Sequence, residues 1–323
     1  MKSNWITLAK ATLGIGLLAL LLRWVDLREL WTVLSSITPL WIFILFAIAF
    51  VLIWLSCIKW RLFLSARGAH ISILNLMELY LIGYFFNNFA PGNVGGDVIR
   101  SYMLGRHISS QSNSFGTVFL ERITGFMALI GMAILASWWR PDLLEDMALR
   151  VMLLLMAVGF LAMGLLLVSS RAQDVFRSCL QKLPAHGWLL KLNRFTAVVF
   201  YFRSHRDIWV KALWLSAMFH ICTIINTLAA CRALGLEADF LDLAVLVPVV
   251  LVIAAVPVSM NALGIMEGAF MLFLTLAGLT PEEALSVALL LRAKNVVLAL
   301  LGGLLFLRWN GKLKQKAEIT NVE

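Results

Sequence analysis

Charge is scarce in this sequence. Asp, Glu, Lys and Arg make up 14% of 323 residues, where a soluble domain carries about a quarter. The shortage excludes a soluble working domain, because 61% of the residues are hydrophobic and they fall in long, unbroken runs. Mean hydropathy is +0.90. Chemistry-bearing residues are equally thin. The five histidines (His70, His107, His186, His205, His220) are scattered, four of them in loops or at span ends. The four cysteines (Cys57, Cys179, Cys222, Cys231) show no CxxC and no metal-ligand spacing, so they read as small buried residues. No nucleophile elbow, zinc signature, paired-carboxylate motif or nucleotide-binding motif is present. Ordinary catalysis is thus unsupported, no cofactor is expected, and any energy input is expected from an ion gradient, the membrane potential or a downhill lipid gradient.

What is present is membrane-like. Spans need about 20 apolar residues to cross roughly 30 Å of hydrocarbon, and six stretches qualify: 6–22, 40–58, 116–138, 151–169, 212–230 and 284–307. The first follows Lys2 and Lys10 like a signal peptide but lacks a small-x-small cleavage site, so a retained helix is expected. Thr38-Pro39 reads as an N-cap with proline at the first helical position, and Thr280-Pro-Glu-Glu283 as a capping box. Trp31, Trp41, Trp138, Trp139 and Trp309 stand at segment ends, where an interfacial belt places them.

Two further apolar regions are interrupted. Residues 74–105 break at Asn87-Asn-Phe-Ala-Pro-Gly-Asn-Val-Gly-Gly-Asp97, and residues 241–279 break at Val256-Pro-Val-Ser-Met-Asn-Ala-Leu-Gly264. Each reads as a helical hairpin, which membranes tolerate only where protein or a wet cavity satisfies the broken backbone. The first fits a re-entrant hairpin; the second fits either a re-entrant hairpin or two full spans. The net charge of +9 follows the positive-inside rule and is no nucleic-acid signature. Lys59, Arg61 and Arg67 before the first hairpin, and Arg100 and Arg106 after it, place its flanks in the cytoplasm. Asp142, Glu145 and Asp146 place the gap 140–150 outside, as a solvated loop. The basic segment 171–211 reads as cytoplasmic, either an ordinary loop or an amphipathic stretch lying on anionic lipid. Glu237, Asp239, Asp242, Glu282 and Glu283 place the second hairpin's flanks outside, and Arg308, Lys312, Lys314 and Lys316 return the tail inside. Both termini are expected in the cytoplasm of a bacterial-type inner membrane.

The halves match each other. Gly68 to Leu76 resembles Gly235 to Leu243 at an offset of 167, and Pro91 and Pro257 stand 166 apart. Asp97 and Glu267 stand 170 apart, as do Arg122 and Arg292, so each acid is followed by an arginine 25 positions on. Three crossings per half make the second half inverted. The expectation is an all-α polytopic membrane protein of about six full spans and two broken hairpins, in two inverted repeats (1–150 and 151–310) with a cytoplasmic tail (311–323). That is a transporter plan.

Each ionisable residue at a helix centre costs about 2.5–3.5 kcal/mol on insertion scales. Asp97, Arg100, Glu121, Arg122, Glu267, Arg292 and Lys294 gather at the two breaks and the helices after them, so they must pair or line a wet cavity. Asp97–Arg122 and Glu267–Arg292 read as pins between hairpin and helix, or as contacts for an ionic headgroup. Asn93-Val-Gly-Gly96 is no P-loop, since no Lys-Ser/Thr follows. Its glycines (Gly92, Gly95, Gly96) either offer backbone N–H groups to a phosphate or allow close packing. Asn87, Asn88, Asn261 and Asn295 either line a polar path or satisfy the broken backbone, the latter favoured for Asn87.

The run Phe85 to Arg100 with Glu121-Arg122, and the run Pro257 to Gly268 with Leu291-Arg292, resemble the two signatures of the lysylphosphatidylglycerol synthase/flippase membrane-domain family. The resemblance covers nearly the whole chain. It implies a lipid flippase or lipid transporter, with membrane lipids, including an anionic or aminoacylated phospholipid, as substrates. It also implies roles for Asn88, Pro91, Gly95, Gly96, Asp97, Arg100, Glu121, Arg122, Asn261, Gly264, Glu267 and Arg292. Bifunctional members continue into a soluble aminoacyl-transferring domain, whereas this sequence stops at Glu323, shortly past its last apolar stretch. Synthase activity is therefore not expected. Two other functions remain open: a membrane enzyme acting on a lipid carrier, and a non-transporting partner of a lipid-synthesis enzyme docking through 171–211.

Overall fold

A computed structural model describes residues 37–88, 94–169, 201–202 and 205–309. Among the described residues the protein is all-helical. Pro39–Ser65 (α1) is followed by a hairpin of Ile73–Asn87 (α2) and Gly95–His107 (α3), then by Gln111–Ser137 (α4) and Met147–Val168 (α5). Arg206–Ala233 (α6) precedes the second hairpin, Phe240–Ala255 (α7) and Ile265–Leu274 (α8), and Pro281–Leu307 (α9) closes the described part. Helices α1, α4, α5, α6 and α9 are long and apolar enough to cross a membrane. They reproduce five of the six expected spans. The stretch 6–22, the tail 311–323 and most of the basic segment 171–211 lie outside the described residues.

The ends of these helices follow local rules. Thr38 stands at the N-cap position of α1 without a side-chain capping bond, and proline follows in the first turn. Thr280 and Glu283 exchange side-chain hydrogen bonds with each other's backbone, the expected capping box. Gly68 (φ 75°) and Gly235 (φ 73°) end α1 and α6 in the left-handed region, where glycine carries no Cβ penalty. The chain then closes identically in both places: Ala69 N–H donates to Leu64 O (3.0 Å) and Leu236 N–H to Cys231 O (2.9 Å).

Helices α2, α3, α7 and α8 have 15, 13, 16 and 10 residues. At 1.5 Å per residue none reaches the roughly 30 Å of a hydrocarbon core. Each hairpin arm is thus shorter than a full span, in keeping with the broken or re-entrant hairpins expected from the sequence.

The packing is a self-matching pattern. Helices α1 and α6 begin at positions 39 and 206, and α2 and α7 at 73 and 240, the offset of 167 already seen in the sequence. Helices α3 and α8 begin at 95 and 265, and α4 and α9 at 111 and 281, the offset of 170. Exchanging these partners maps the α1–α2, α2–α3, α3–α4 and α1–α4 contacts onto α6–α7, α7–α8, α8–α9 and α6–α9, and maps α2–α9 onto α7–α4. One contact breaks the rule: α4 packs on α6, and α9 has no comparable contact with α1.

The equivalent helices α1 and α6 are antiparallel. Leu45, near the start of α1, shares a core with Ile224 and Ala229. Lys59 bonds Ser216, and Phe63 shares a cluster with Ile208 and Ala212. Residue numbers rise along one helix as they fall along the other, which is the inversion expected of the halves. Large apolar side chains cover the outside: Leu154, Leu155, Val158, Leu161 and Leu165 on α5, and Val297, Leu300, Leu304 and Leu307 on α9 are exposed. Patches of that extent belong against lipid. Trp138 and Trp139 project beyond the end of α4, at 85% and 64% exposed, as interfacial tryptophans do.

Loop contacts agree with the expected alternation. Arg140, after α4, meets Asp142, Asp239 and Asp242, so the gap 140–150 and the start of the second hairpin share one side. Arg67 bonds Asn113 and covers the ring of Tyr201, which places the start of α4 and the approach to α6 together on the other. Asp142 is held below the usual carboxylate range by its hydrogen bonds from Arg140. Asp146, expected in a solvated loop, caps α5 by accepting from Leu149 N–H (2.8 Å).

Candidate functional site

Helix α3 carries Asp97 in its first turn and Arg100 one turn later, so both side chains leave the same face. Helix α4 passes that face with Glu121 and Arg122. Asp97 accepts from Arg122 Nε (2.6 Å) and Nη2 (2.9 Å), and from Arg100 Nε (3.1 Å). Arg100 Nη2 donates to Glu121 Oε2 (2.9 Å). The other Glu121 oxygen accepts from the hydroxyl of Tyr80 on α2. The Arg100 guanidinium lies 4.0 Å from the Tyr80 ring centroid and 4.6 Å from that of Trp60, and Trp60 Nε1 donates to Thr117 Oγ1 (3.2 Å). Arg100 is thus held by two acids and two aromatic faces. Arg122 reaches out of this network, with 44% of its side chain exposed.

The second break is built differently. Asn261 (φ 48°), Ala262 (φ 51°) and Gly264 (φ 79°) all adopt positive φ, a strained geometry for alanine that tends to collect at functional sites. Fully buried Glu267 does two jobs. One oxygen accepts from Gly264 N–H (2.8 Å), closing the start of α8, and the other pairs with Arg292 Nε. Both expected acid–arginine pairs therefore form. The offset of 170 maps Arg100 and Glu121 onto Phe270 and Leu291, both buried. The first hairpin carries an extra buried ion pair where the second carries hydrocarbon.

The two breaks meet. Asn88, the last described residue of α2's end, donates to Tyr84 O (3.0 Å) and accepts from Asn261 Nδ2 (2.9 Å). Arg292 Nη1 approaches the Asn261 carbonyl at 3.4 Å, so the Glu267 network is joined to the first hairpin.

Other expected residues fall elsewhere. Gly96 serves close packing: a Cβ there would collide with Gly83 O and Asn87 Oδ1, and its N–H already donates to Asn87 Oδ1 (2.7 Å). That N–H is not offered to a phosphate, and Asn87 does satisfy the broken backbone. Gly95 opens α3 beside it. Asn93, Pro91 and Gly92 lie outside the described residues. Lys294 stands apart from the Arg292 network. Side chains two positions apart leave nearly opposite faces of a helix, and Lys294 Nζ donates instead to Asn226 Oδ1 on α6 (2.8 Å). Lys59 and Arg100, expected among the cytoplasmic flanking charges, are buried inside the bundle at 4% and 1% exposed. The helix α1 runs on to Ser65, past the apolar stretch's end at 58, and carries Lys59 into the protein. Tyr80, Trp60, Ser216 and Asn226 were not singled out by the sequence, and only their long-range partners mark them.

Both hairpins are thus pinned to the following helix by an acid–arginine pair. The sequence profile of the lysylphosphatidylglycerol synthase TM region matches residues 7–303. The chain belongs to that family. Among curated relatives of this family member, a UPF0104 membrane protein of Methanothermobacter thermautotrophicus is 24% identical over 302 residues, covering 86% of each chain. A second from the same organism is 22% identical over 303 residues, covering 84% of this chain and 85% of its own. A UPF0104 membrane protein of Pyrococcus horikoshii is 28% identical over 163 residues, 48% of this chain and 46% of its own.

Proposed function

We propose that this member of the lysylphosphatidylglycerol synthase TM-region family is a lipid flippase or lipid transporter. It moves a phospholipid between leaflets, with its headgroup passing the hairpin breaks while the acyl chains stay in lipid. The observation that carries this reading is the meeting of two hairpin breaks through Asn88 and Asn261, with ion pairs on both sides. Broken helices meeting inside a membrane are a transporter plan. The exposure of Arg122 makes the Asp97–Arg122 pair the headgroup contact. The complete burial of Glu267 makes the Glu267–Arg292 pair the pin that holds the second break.

The proposal includes the setting: a bacterial-type cytoplasmic membrane, both termini in the cytoplasm, repeats at 1–150 and 151–310, and an anionic or aminoacylated phospholipid as cargo. A lipid-synthesis enzyme is the proposed supplier of that cargo. The test is leaflet-resolved movement of labelled phospholipids in proteoliposomes. Acceleration of at least one phospholipid over protein-free vesicles supports transport, and no acceleration across anionic, zwitterionic and aminoacylated lipids sinks it.

A further inference from the structure

The end of α1 and the start of α6 enclose an open groove of about 460 Å³ that the hairpin networks do not use. That volume is within the range of ligand sites, about 300–1,000 Å³. Ile58, Leu62, Trp214 and Leu215 make its apolar wall, and Arg61, Ser65 and Lys211 complete it. The helices run antiparallel here, with Lys59 bonded to Ser216 and Phe63 clustered with Ile208 and Ala212. Residues equally far from the two helix ends therefore lie at similar depth.

Depth sorts the lining. At 1.5 Å per residue, Arg61 stands about 6 Å from the end of α1 and Lys211 about 8 Å from the start of α6. Ile58, Trp214 and Leu215 lie about 10–14 Å in. The groove is cationic toward the water and apolar toward the membrane interior, on the side of Arg67 and Tyr201 that is expected to face the cytoplasm.

Both cations are available. Arg61 is exposed and, among the described residues, has no carboxylate partner. Lys211 meets Asp207 one turn earlier at 3.9 Å, with the two side chains 65% and 66% exposed. A solvated pair of that kind is weak. Packing of α1 on α6 does not call for charge at either position: the repeat offset of 167 maps Arg61 onto Leu228 and Lys211 onto Ile44.

An occupant must offer negative charge near the water and hydrocarbon below it. The basic segment 171–211 has the wrong sign, and a free phosphate would leave the apolar wall bare. A phospholipid of net negative charge supplies both, and a cytoplasmic leaflet rich in anionic lipid attracts basic side chains at its surface.

We infer that this groove binds one anionic phospholipid of the leaflet expected to face the cytoplasm. Its headgroup lies between Arg61 and Lys211, and an acyl chain follows Ile58, Trp214 and Leu215. The lipid is a resident one that bridges the equivalent helices of the two repeats, and the inference does not rest on the transport reading.

The test places the full chain in phosphatidylcholine vesicles containing rising fractions of brominated phosphatidylglycerol or, in parallel, brominated phosphatidylcholine. Bromine quenches a tryptophan that it touches, and the difference between wild type and Trp214→Phe isolates Trp214 from the other tryptophans. The affinity of the groove for phosphatidylglycerol relative to phosphatidylcholine is expected to be at least about tenfold. Arg61→Gln combined with Lys211→Gln is expected to bring that ratio within about twofold of unity, with each single variant in between. Equal affinity in the wild type, or a preference that survives the double substitution, overturns the inference. Quenching of Trp214 by neither lipid also overturns it, since protein then fills the groove, the apolar stretch 6–22 being the candidate. Loss of the preference on adding soluble glycerol phosphate overturns it too, because a free anion then holds the cations. The wild-type ratio requires only the exposed Trp214 to be exchanged, so a double variant that folds poorly does not shield the inference. Lipid movement plays no part in the readout, and a negative result leaves the transport reading standing.

Discussion

Asn261 in the second hairpin donates a 2.9 Å hydrogen bond to Asn88 in the first, across 173 residues of sequence. Each side chain also answers to its own half: Asn88 caps a free carbonyl of α2 at Tyr84, and the Asn261 backbone meets Arg292. One amide pair therefore ties two broken helices that belong to opposite repeats.

That tie is measurable. Interhelical hydrogen bonds in membrane proteins average about 0.6 kcal/mol and reach about 1.7 kcal/mol. A double-mutant cycle of Asn88→Ala and Asn261→Ala, read by unfolding in detergent, is expected to show a coupling of about 1 kcal/mol. Strict additivity would mean that the breaks are held together by their neighbours alone.

The buried Arg100–Glu121 pair corresponds to Phe270 and Leu291 in the other half. Removing one partner of a buried pair costs about 3–5 kcal/mol, while replacing both with well-packed apolar groups is often neutral. Glu121→Leu alone is therefore expected to destabilise the protein strongly. Arg100→Phe combined with Glu121→Leu is expected to recover most of the loss in a thermal-unfolding series. A double variant no more stable than the worse single one would contradict the symmetry argument.

Helix α9 passes α2 with Gly302 against the Leu81 carbonyl, and a Cβ at Gly302 would overlap that backbone oxygen. Overpacking of this kind costs about 1–3 kcal/mol, and a rigid backbone partner puts Gly302→Ala at the upper end. Gly159 in α5 has nothing within 4 Å of such a Cβ. Gly159→Ala is expected to be neutral or stabilising by up to about 1 kcal/mol. The pair of variants, compared by melting temperature in one lipid, separates close packing from general intolerance of substitution.

Glu267 and Asp97 are predicted to differ. Glu267 is fully buried and closes α8 as well as pairing with Arg292, so Glu267→Gln is expected to lower stability by about 3–5 kcal/mol. Asp97→Asn keeps an oxygen for Arg122 and leaves Arg100 on Glu121, so its stability loss is expected to be smaller. Chemical unfolding of both variants in the same detergent checks the order, and equal losses would remove the distinction between pin and contact.

The fold was legible where its cause is local. Thr280 and Glu283 announce a helix start because both halves of the capping box lie within one turn. Gly68 and Gly235 mark helix ends because the left-handed turn favours glycine. The repeated acid–arginine spacing was visible because each pair spans one hairpin arm and one turn of chain. Lys59 was misplaced for an equally physical reason. A lysine just past a long apolar run looks the same whether the helix stops or continues into the protein, and only Ser216, far along the chain on α6, decides. Tyr80, Asn226 and His220 are likewise set by partners on other helices. No short-range pattern carries that information.

The central claim is movement of phospholipid past the hairpin breaks, and the most direct measurement compares wild type, Asp97→Asn and Glu267→Gln in proteoliposomes at equal folded amounts. Leaflet-to-leaflet movement of fluorescent phospholipid is the readout. The account predicts clear acceleration by wild type, a loss of about tenfold or more in Asp97→Asn at unchanged folding (about 1.4 kcal/mol or more in the barrier), and movement close to wild type per folded Glu267→Gln molecule. Undiminished movement in a folded Asp97→Asn variant, or no movement by wild type with any phospholipid, would contradict it.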